Sequence, residues 1–471
     1  MEPGILPAMS VHSPLGATDT GAVELRTRVA GARRSSVGTR TGLFAIGGLL
    51  ATTLLIALAA AGTNTVLPES VRPVPSWLAG PLGNTGIGLG DGGLILVLAI
   101  MFISYVVAVR ACDRLSAWVV LMCIAGMHAL VLLAPPLLST DVFSYQFYGR
   151  MGALYGANPY LAGPHALALD PLFPYIGAKW SYTPTVYGPA FTALSYLLAP
   201  LSIAASALTY KAIAACASLA TVALVYKAAR LRGVNPVKAA ALVGLNPLVV
   251  IYGVGGGHND LLMLLPLVAG VYLVLLRRER SGSAMMVIAA AIKLTGALPL
   301  AFAVASGGGR RGRDRRRDVL IGAGVATAIV AALSFVWFGT GPLHLPTTLQ
   351  KVQSEGDWQS IPGFIGTRLG FGAVGHVTGF VLDGVFLAAF CWLLRRVWRG
   401  QLDWIDAAAW CAVALIITAS SLLPWYVAWL MPLAALATDR RLWRVALITT
   451  GVVQAIQLIS YLPHGGTFLG I

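Results

Sequence analysis

Apolar residues arrive along this chain in blocks of roughly 20, the length a helix needs to cross a hydrocarbon core, with polar residues in the gaps between them. Blocks lie near 42–62, 93–110 and 116–137, then at 208–227, 235–252, 260–277, 319–338, 376–395, 405–422, 424–438 and 443–461. Lysine and arginine mark cytoplasmic loops. That rule runs the first three blocks out, in and out, placing Arg110 and Arg114 inside and Asp141 outside.

Two stretches break this alternation. A full span at 190–203 would leave Lys227, Arg230 and Arg232 outside after the next helix, so a re-entrant or interfacial helix is expected there. Arginines flank both sides of 282–305, which predicts a helical hairpin entering from the inside and turning near Lys293. The pattern predicts an all-α, polytopic integral membrane protein with about 13 crossings. It forms one multi-helix membrane domain over 41–471, with a first external loop at 139–207 carrying amphipathic helices and a second at 342–375. Residues 1–40, rich in Gly, Ser, Thr and Arg, are expected to form a disordered, basic, cytoplasmic tail.

Composition agrees: 57% of residues are hydrophobic and only 11% charged. The net charge of +15 would suggest nucleic acid, but the cations sit in short clusters between apolar blocks, where topology explains them and no nucleic-acid partner is implied. The five cysteines are scattered without a CxxC pair, and an HxD pair alone is too little for a metal site.

With only 18 acids, those on the outer face can be enumerated: Glu69, Asp91, Asp141, Asp170, Asp260, Glu355 and Asp357. Asp141 follows Ser139-Thr140 and so falls in a first helical turn, where the dipole favours a carboxylate. Tyr145 and Tyr148 share its helix face and Arg150 follows. A carboxylate beside aromatic rings suits a general base that deprotonates a sugar hydroxyl while the rings stack on the sugar; an aromatic belt is the alternative for the tyrosines. In GGGHND, Gly256, Gly257, His258, Asn259 and Asp260 bring backbone amides, a helix start and an imidazole to one place, as an anion such as phosphate requires. A tight turn capped by Asn or Asp reads equally from those residues. Lys211, at the outer start of its helix, is a further phosphate candidate, and Lys293 and Asp383 are ionisable groups inside apolar blocks, where charge is costly and by default functional. Trp180 and Tyr187 in WSYTPTVYGP, and Trp425 in LLPWYVAW, offer aromatic surface for sugar, lipid or membrane anchoring.

In their order and spacing, TDVFSYQFYGRM, NPY, WSYTPTVYGP, GGGHNDLLML and AAIKLTGALPL resemble the actinobacterial polyprenyl-phosphomannose-dependent α-1,6-mannosyltransferases of the GT-C superfamily, from about Thr41 to the final helices. The resemblance is greatest to members that build the proximal mannan core of lipomannan. It implies a metal-independent inverting transferase with no nucleotide or other cofactor, in the plasma membrane with its N-terminus cytoplasmic and its active site on the outer face. The substrates it implies are polyprenyl-phosphate mannose and a glycolipid mannoside acceptor. The family's catalytic aspartate carries over onto Asp141. Many superfamily members carry a second acid in the first loop, which here would be Asp170. The same fold could serve another sugar or acceptor, such as arabinose or protein O-mannosylation. A lipid-linked sugar flippase or transporter is disfavoured by polar residues gathered on one external face above a midplane with few charges.

Overall fold

The computed structural model describes Met1 and residues 20–62, 78, 80–82, 86–306, 309–356, 358–372 and 375–460. Glu69, Asp357 and residues 2–19 of the expected tail lie outside them. Every regular element among the described residues is helical. α1 (Thr20–Gly62) starts within the stretch expected to be a disordered tail; its upstream half, AVELRTRVAGARR, holds Ala, Leu, Glu and Arg, all strong helix formers.

The chain continues through α2 (Gly90–Ala111), α3 (Ala117–Leu133), α4 (Asp141–Tyr155), α5 (Pro189–Leu198), α6 (Ile203–Arg232), α7 (Pro236–Gly244) and α8 (Asn259–Leu275). It finishes with α9 (Glu279–Ile292), α10 (Leu298–Ala305), α11 (Gly309–Phe338), α12 (Leu345–Ser354), α13 (Ile361–Arg368), α14 (His376–Trp398), α15 (Trp404–Thr418), α16 (Met431–Leu436) and α17 (Arg440–Ser460). Six described helices are long and apolar enough to cross a membrane, or seven if α7 and the π-helical Leu248–Val254, bent at 47°, count as one span. Most of the other blocks expected to span are shorter apolar helices, so the expected figure of about 13 is not matched by helix length. At about 15 Å α5 is too short to span, as the interfacial reading of 190–203 requires. The second expected loop is itself helical, through α12 and α13.

Side-chain contacts sort the helix ends onto two faces. On the basic face, Thr39 donates to the Arg114 carbonyl, Asn235 to Asp113 and Arg232 to Asp403 through both terminal nitrogens. Asp403 caps α15 by accepting from the Ile405 and Asp406 amides. The other face begins at Asp141.

Three hairpins rise from the basic face and turn at the Asp141 face. The first, α7 with its π-helical extension followed by α8, turns through Gly255–His258. In the second, Glu279 at the head of α9 pairs with Arg315 at 3.0 Å, while Arg316 donates to the Val304 carbonyl at the foot of α10. Both ends therefore meet the start of α11, and the turn at Lys293 lies at the opposite face, where Gly188 donates to the Ile292 carbonyl at 3.0 Å. The third joins α15 to α16, with Asp406 accepting from the amide and hydroxyl of Thr438 at its base and Pro424–Trp429 at its top. Small residues allow this packing: a Cβ on Gly270 of α8 would approach the Gly282 carbonyl of α9 to 2.6 Å. α11 and α14 stay almost uncovered, so their apolar surfaces face outward.

Candidate active site

The three turns converge on the head of α4. Leu137, just before it, donates to the Gly255 carbonyl at 2.9 Å, and Leu138 takes a positive φ of 58°, an uncommon conformation for a side chain of its size. The Asp141 amide donates to Ser139 Oγ at 3.1 Å, a local turn that leads the chain into the helix. The helix ends on Gly156, at φ 66°.

Only 9% exposed, Asp141 holds its Oδ2 3.3 Å from the Tyr145 hydroxyl and 3.3 Å from His258 Nδ1. Tyr145 and His258 are themselves 3.4 Å apart. Burial alone would raise the Asp141 carboxyl, but the hydrogen bond and attraction of His258, the charge of Lys293 and the Ser139 hydroxyl outweigh it and hold the group below the usual carboxylate range. The His258 ring is fully buried and stacks on Trp425 at 3.5 Å between centroids, 17° from parallel.

Asp141 lies on the wall of a cavity of about 960 Å³. Its wall carries Ser139, Thr140, Lys179, Trp180, Tyr187, Lys293, Trp425 and Trp429 together with apolar side chains, Leu298 and Ala301 of the second hairpin, Leu415 of α15, and Phe386, Leu387 and Phe390 of α14. Asp383 is the second acid on the wall. Lys293 breaks the second hairpin with an extended backbone, which brings its ammonium 2.7 Å from Asp260 Oδ1 and 4.4 Å from the Tyr426 ring centroid. Trp429 donates its indole N–H to the same Asp260 oxygen at 2.6 Å.

Of the residues expected from sequence, Asp141, Trp180, Tyr187, Lys293, Asp383 and Trp425 reach the cavity wall, and others lie elsewhere. Tyr145 is packed edge-on against Tyr187, Phe191 and Tyr210, and Tyr148 donates to the Thr183 carbonyl at 2.8 Å. The face they share with Asp141 is covered by α5 and α6, so neither is placed to stack on a sugar. Arg150 is not at a phosphate position: it grips Asp170 from Nε and a terminal nitrogen at 3.0 and 2.7 Å. Tyr155 adds a third bond at 2.6 Å, so Asp170 is bound within the loop and off the cavity. Lys211 is buried and donates to the Ala134 and Pro135 carbonyls, satisfying the end of α3.

The amides of Gly255, Gly256, Gly257 and His258 donate to the carbonyls of Val250, Tyr252, Val254 and Gly253, so the glycine turn does not offer free donors to an anion. Gly257 is there for its φ of 65°. Asn259 is buried with its amide N–H on the Tyr145 hydroxyl, and Asp260 holds Lys293 and Trp429 from behind the wall. Tyr426 and Trp429 lie in LLPWYVAW, the stretch read as aromatic surface, whereas Gln353, clasped by the Ser420 hydroxyl and the Ser421 amide, escaped the sequence reading. Among the described residues no three His, Cys, Asp or Glu side chains gather as a metal would require.

Residues 45–307 match the family described as alpha-(1->6)-mannopyranosyltransferase, N-terminal domain, and residues 359–470 match the MptB C-terminal domain. Alpha-(1->6)-mannopyranosyltransferase A of Mycobacterium tuberculosis is 30% identical over 345 residues, 66% of this chain and 64% of that protein. A probable alpha-(1->6)-mannopyranosyltransferase of Mycolicibacterium smegmatis is 28% identical over 360 residues, 65% of this chain and 63% of its own. Alpha-(1->6)-mannopyranosyltransferase B of Corynebacterium glutamicum is 25% identical over 350 residues, 65% of this chain and 57% of its own. The chain thus spans less than two thirds of the length of each of these relatives. No solved structure matches. With more than half of its residues matched by one family profile, the chain belongs to the alpha-(1->6)-mannopyranosyltransferase family.

Proposed function

We propose that this protein transfers mannose from polyprenyl-phosphate-β-mannose to the 6-hydroxyl of a mannoside acceptor, with inversion, building α-1,6 linkages of the lipomannan and lipoarabinomannan core. The fold is then of the GT-C type, in the plasma membrane, with the Asp141 face outward and the N-terminus cytoplasmic. The names of the relatives support the sugar and the linkage. The observation that carries the reading is the mixed lining of one cavity, in which Asp141, Lys293 and aromatic rings share the wall with apolar side chains of the lipid-facing α14. A donor made of sugar, phosphate and isoprenoid presents both kinds of surface.

The donor carries its own leaving group, so the protein has to align the acceptor hydroxyl, remove its proton and balance phosphate charge. The acceptor oxygen attacks the anomeric carbon from the face opposite the phosphate. Its proton passes to the Asp141 carboxylate as the new C–O bond forms and the bond to the phosphate oxygen breaks. The polyprenyl phosphate leaves with one more negative charge, which Lys293 is placed to meet. Trp180, Tyr187 and Trp425 supply ring surface for the sugars. Phe386, Leu387 and Phe390 offer the isoprenoid a path along α14.

The test is transfer by the protein in membranes supplied with polyprenyl-phosphate mannose and a short α-1,6-mannoside, with the product's linkage read by a linkage-specific mannosidase. A longer α-1,6 product is expected. Absence of mannose transfer, with transfer from a different lipid-linked sugar, would overturn the donor assignment.

A further inference from the structure

We infer that His258 is a positioning residue for the Asp141 carboxylate, tying the base to the aromatic wall on which the sugar rests. The inference builds on the transfer reaction proposed above. It stands on three contacts and one position. His258 Nδ1 reaches Asp141 Oδ2 at 3.3 Å, and the Tyr145 hydroxyl, 3.4 Å from that nitrogen, reaches the same carboxylate oxygen at 3.3 Å. The imidazole lies flat on Trp425 at 3.5 Å, and Trp425 lines the cavity. Base, imidazole and indole are therefore one stack, each fixed by the next. A shift of the indole moves the imidazole, and with it the oxygen that must meet the acceptor hydroxyl.

The glycine turn is shaped for this ring. A Cβ on Gly256 would lie 2.5 Å from His258 Nε2, so only glycine leaves room for the imidazole there. Nε2 is buried without a partner, while Nδ1 pairs with the Tyr145 hydroxyl at 3.4 Å and lies 3.3 Å from the carboxylate. The remaining titratable and charged groups near Asp141 are Tyr148 on its own helix, Tyr187 and Lys179 on the loop, Asp260 on α8, Lys293 on the second hairpin and Tyr426 on the third.

Two substitutions separate the parts of the stack. His258→Phe keeps a flat ring against Trp425 but removes the donor; His258→Asn keeps a donor near the Nδ1 position but removes the ring. Each is purified in detergent, checked for a single monodisperse peak, and assayed for kcat, KM for polyprenyl-phosphate mannose and the pH dependence of kcat, beside wild type and Asp141→Asn. In His258→Phe the expected result is a fall in kcat on the order of 10- to 100-fold, part of the 10²–10⁴ that a positioned base supplies. Its donor KM is expected to stay within about threefold and the acid limb of its profile to move upward; His258→Asn restores the limb. A wild-type kcat and limb in His258→Phe would overturn the positioning role. So would a loss confined to donor KM, which would make His258 a phosphate ligand instead. Wild type that transfers no mannose would defeat the underlying reaction, a different outcome read in the same assay.

Discussion

Lys293 and Asp260, 33 residues apart in sequence, meet at 2.7 Å in a pair that is 14% and 1% exposed. Trp429 donates to the same carboxylate oxygen, and the ammonium lies over Tyr426. The pair joins the first hairpin to the second, and the indole ties both to the third. It also holds the Lys293 side chain on the cavity wall.

Removing one partner leaves the other charge buried and uncompensated, at a cost of about 3–5 kcal/mol. Lys293→Met is therefore expected to lower thermal stability in detergent markedly. Adding Asp260→Asn, which still accepts from Trp429, is expected to recover much of that loss without restoring mannosyl transfer. Recovery of transfer by the double variant would show that the lysine's charge is dispensable to the reaction.

The pH profile carries a signed expectation. Because the Asp141 carboxyl is held below its ordinary range, the base stays ionised until the pH falls under about 4, and kcat should be flat on the acid side above that. Lys293 contributes to the depression. Its loss should move the acid limb upward, measurable in any Lys293→Met protein that retains turnover.

Which parts were legible in the sequence follows from the range of each interaction. The parity conflict at 282–305 was readable because arginines on both flanks allow only a return path, and Glu279–Arg315 with Arg316 on the Val304 carbonyl realises it. The place of Asp141 at the start of a helix was readable from Ser139-Thr140 before it. Arg150 was misplaced because its partner, Asp170, is 20 residues away across a folded loop, and spacing says nothing about which side chains meet there. Tyr145 and Tyr148 were assigned to the correct helix face, but whether that face meets a cavity or α5 and α6 is decided by tertiary packing. The glycine turn misled for a local reason: the wide turn of Leu248–Val254 supplies carbonyls that consume the amides a phosphate would have needed.

Asp170 is expected to matter for the loop and not for turnover. Burial would raise its carboxyl, but Arg150, Tyr155 and the Leu172 amide outweigh it and lower it. A group depressed in the folded state contributes stability above its unfolded pKa of about 3.9 and loses it as the pH falls through the folded value. Asp170→Asn should therefore cost about 1–3 kcal/mol at neutral pH and flatten the acid-side decline in melting temperature, with kcat near wild type. A turnover loss of 100-fold or more in a stable protein would return Asp170 to the site.

Gly188 seats the second hairpin on the loop. A Cβ there would fall 2.2 Å from the Ala291 carbonyl, a backbone atom that cannot rotate away. Gly188→Ala should push the Lys293 turn off the site, raising donor KM and lowering kcat together. Unchanged kinetics would mean the hairpin tolerates displacement.

The central claim is that Asp141 takes the acceptor's proton, and comparing Asp141→Asn with wild type in single-turnover transfer from polyprenyl-phosphate mannose tests it most directly. The account predicts a rate lower by about 10²–10⁴-fold, donor KM little changed and partial activity in Asp141→Glu. A folded Asp141→Asn protein transferring mannose at the wild-type rate would contradict it.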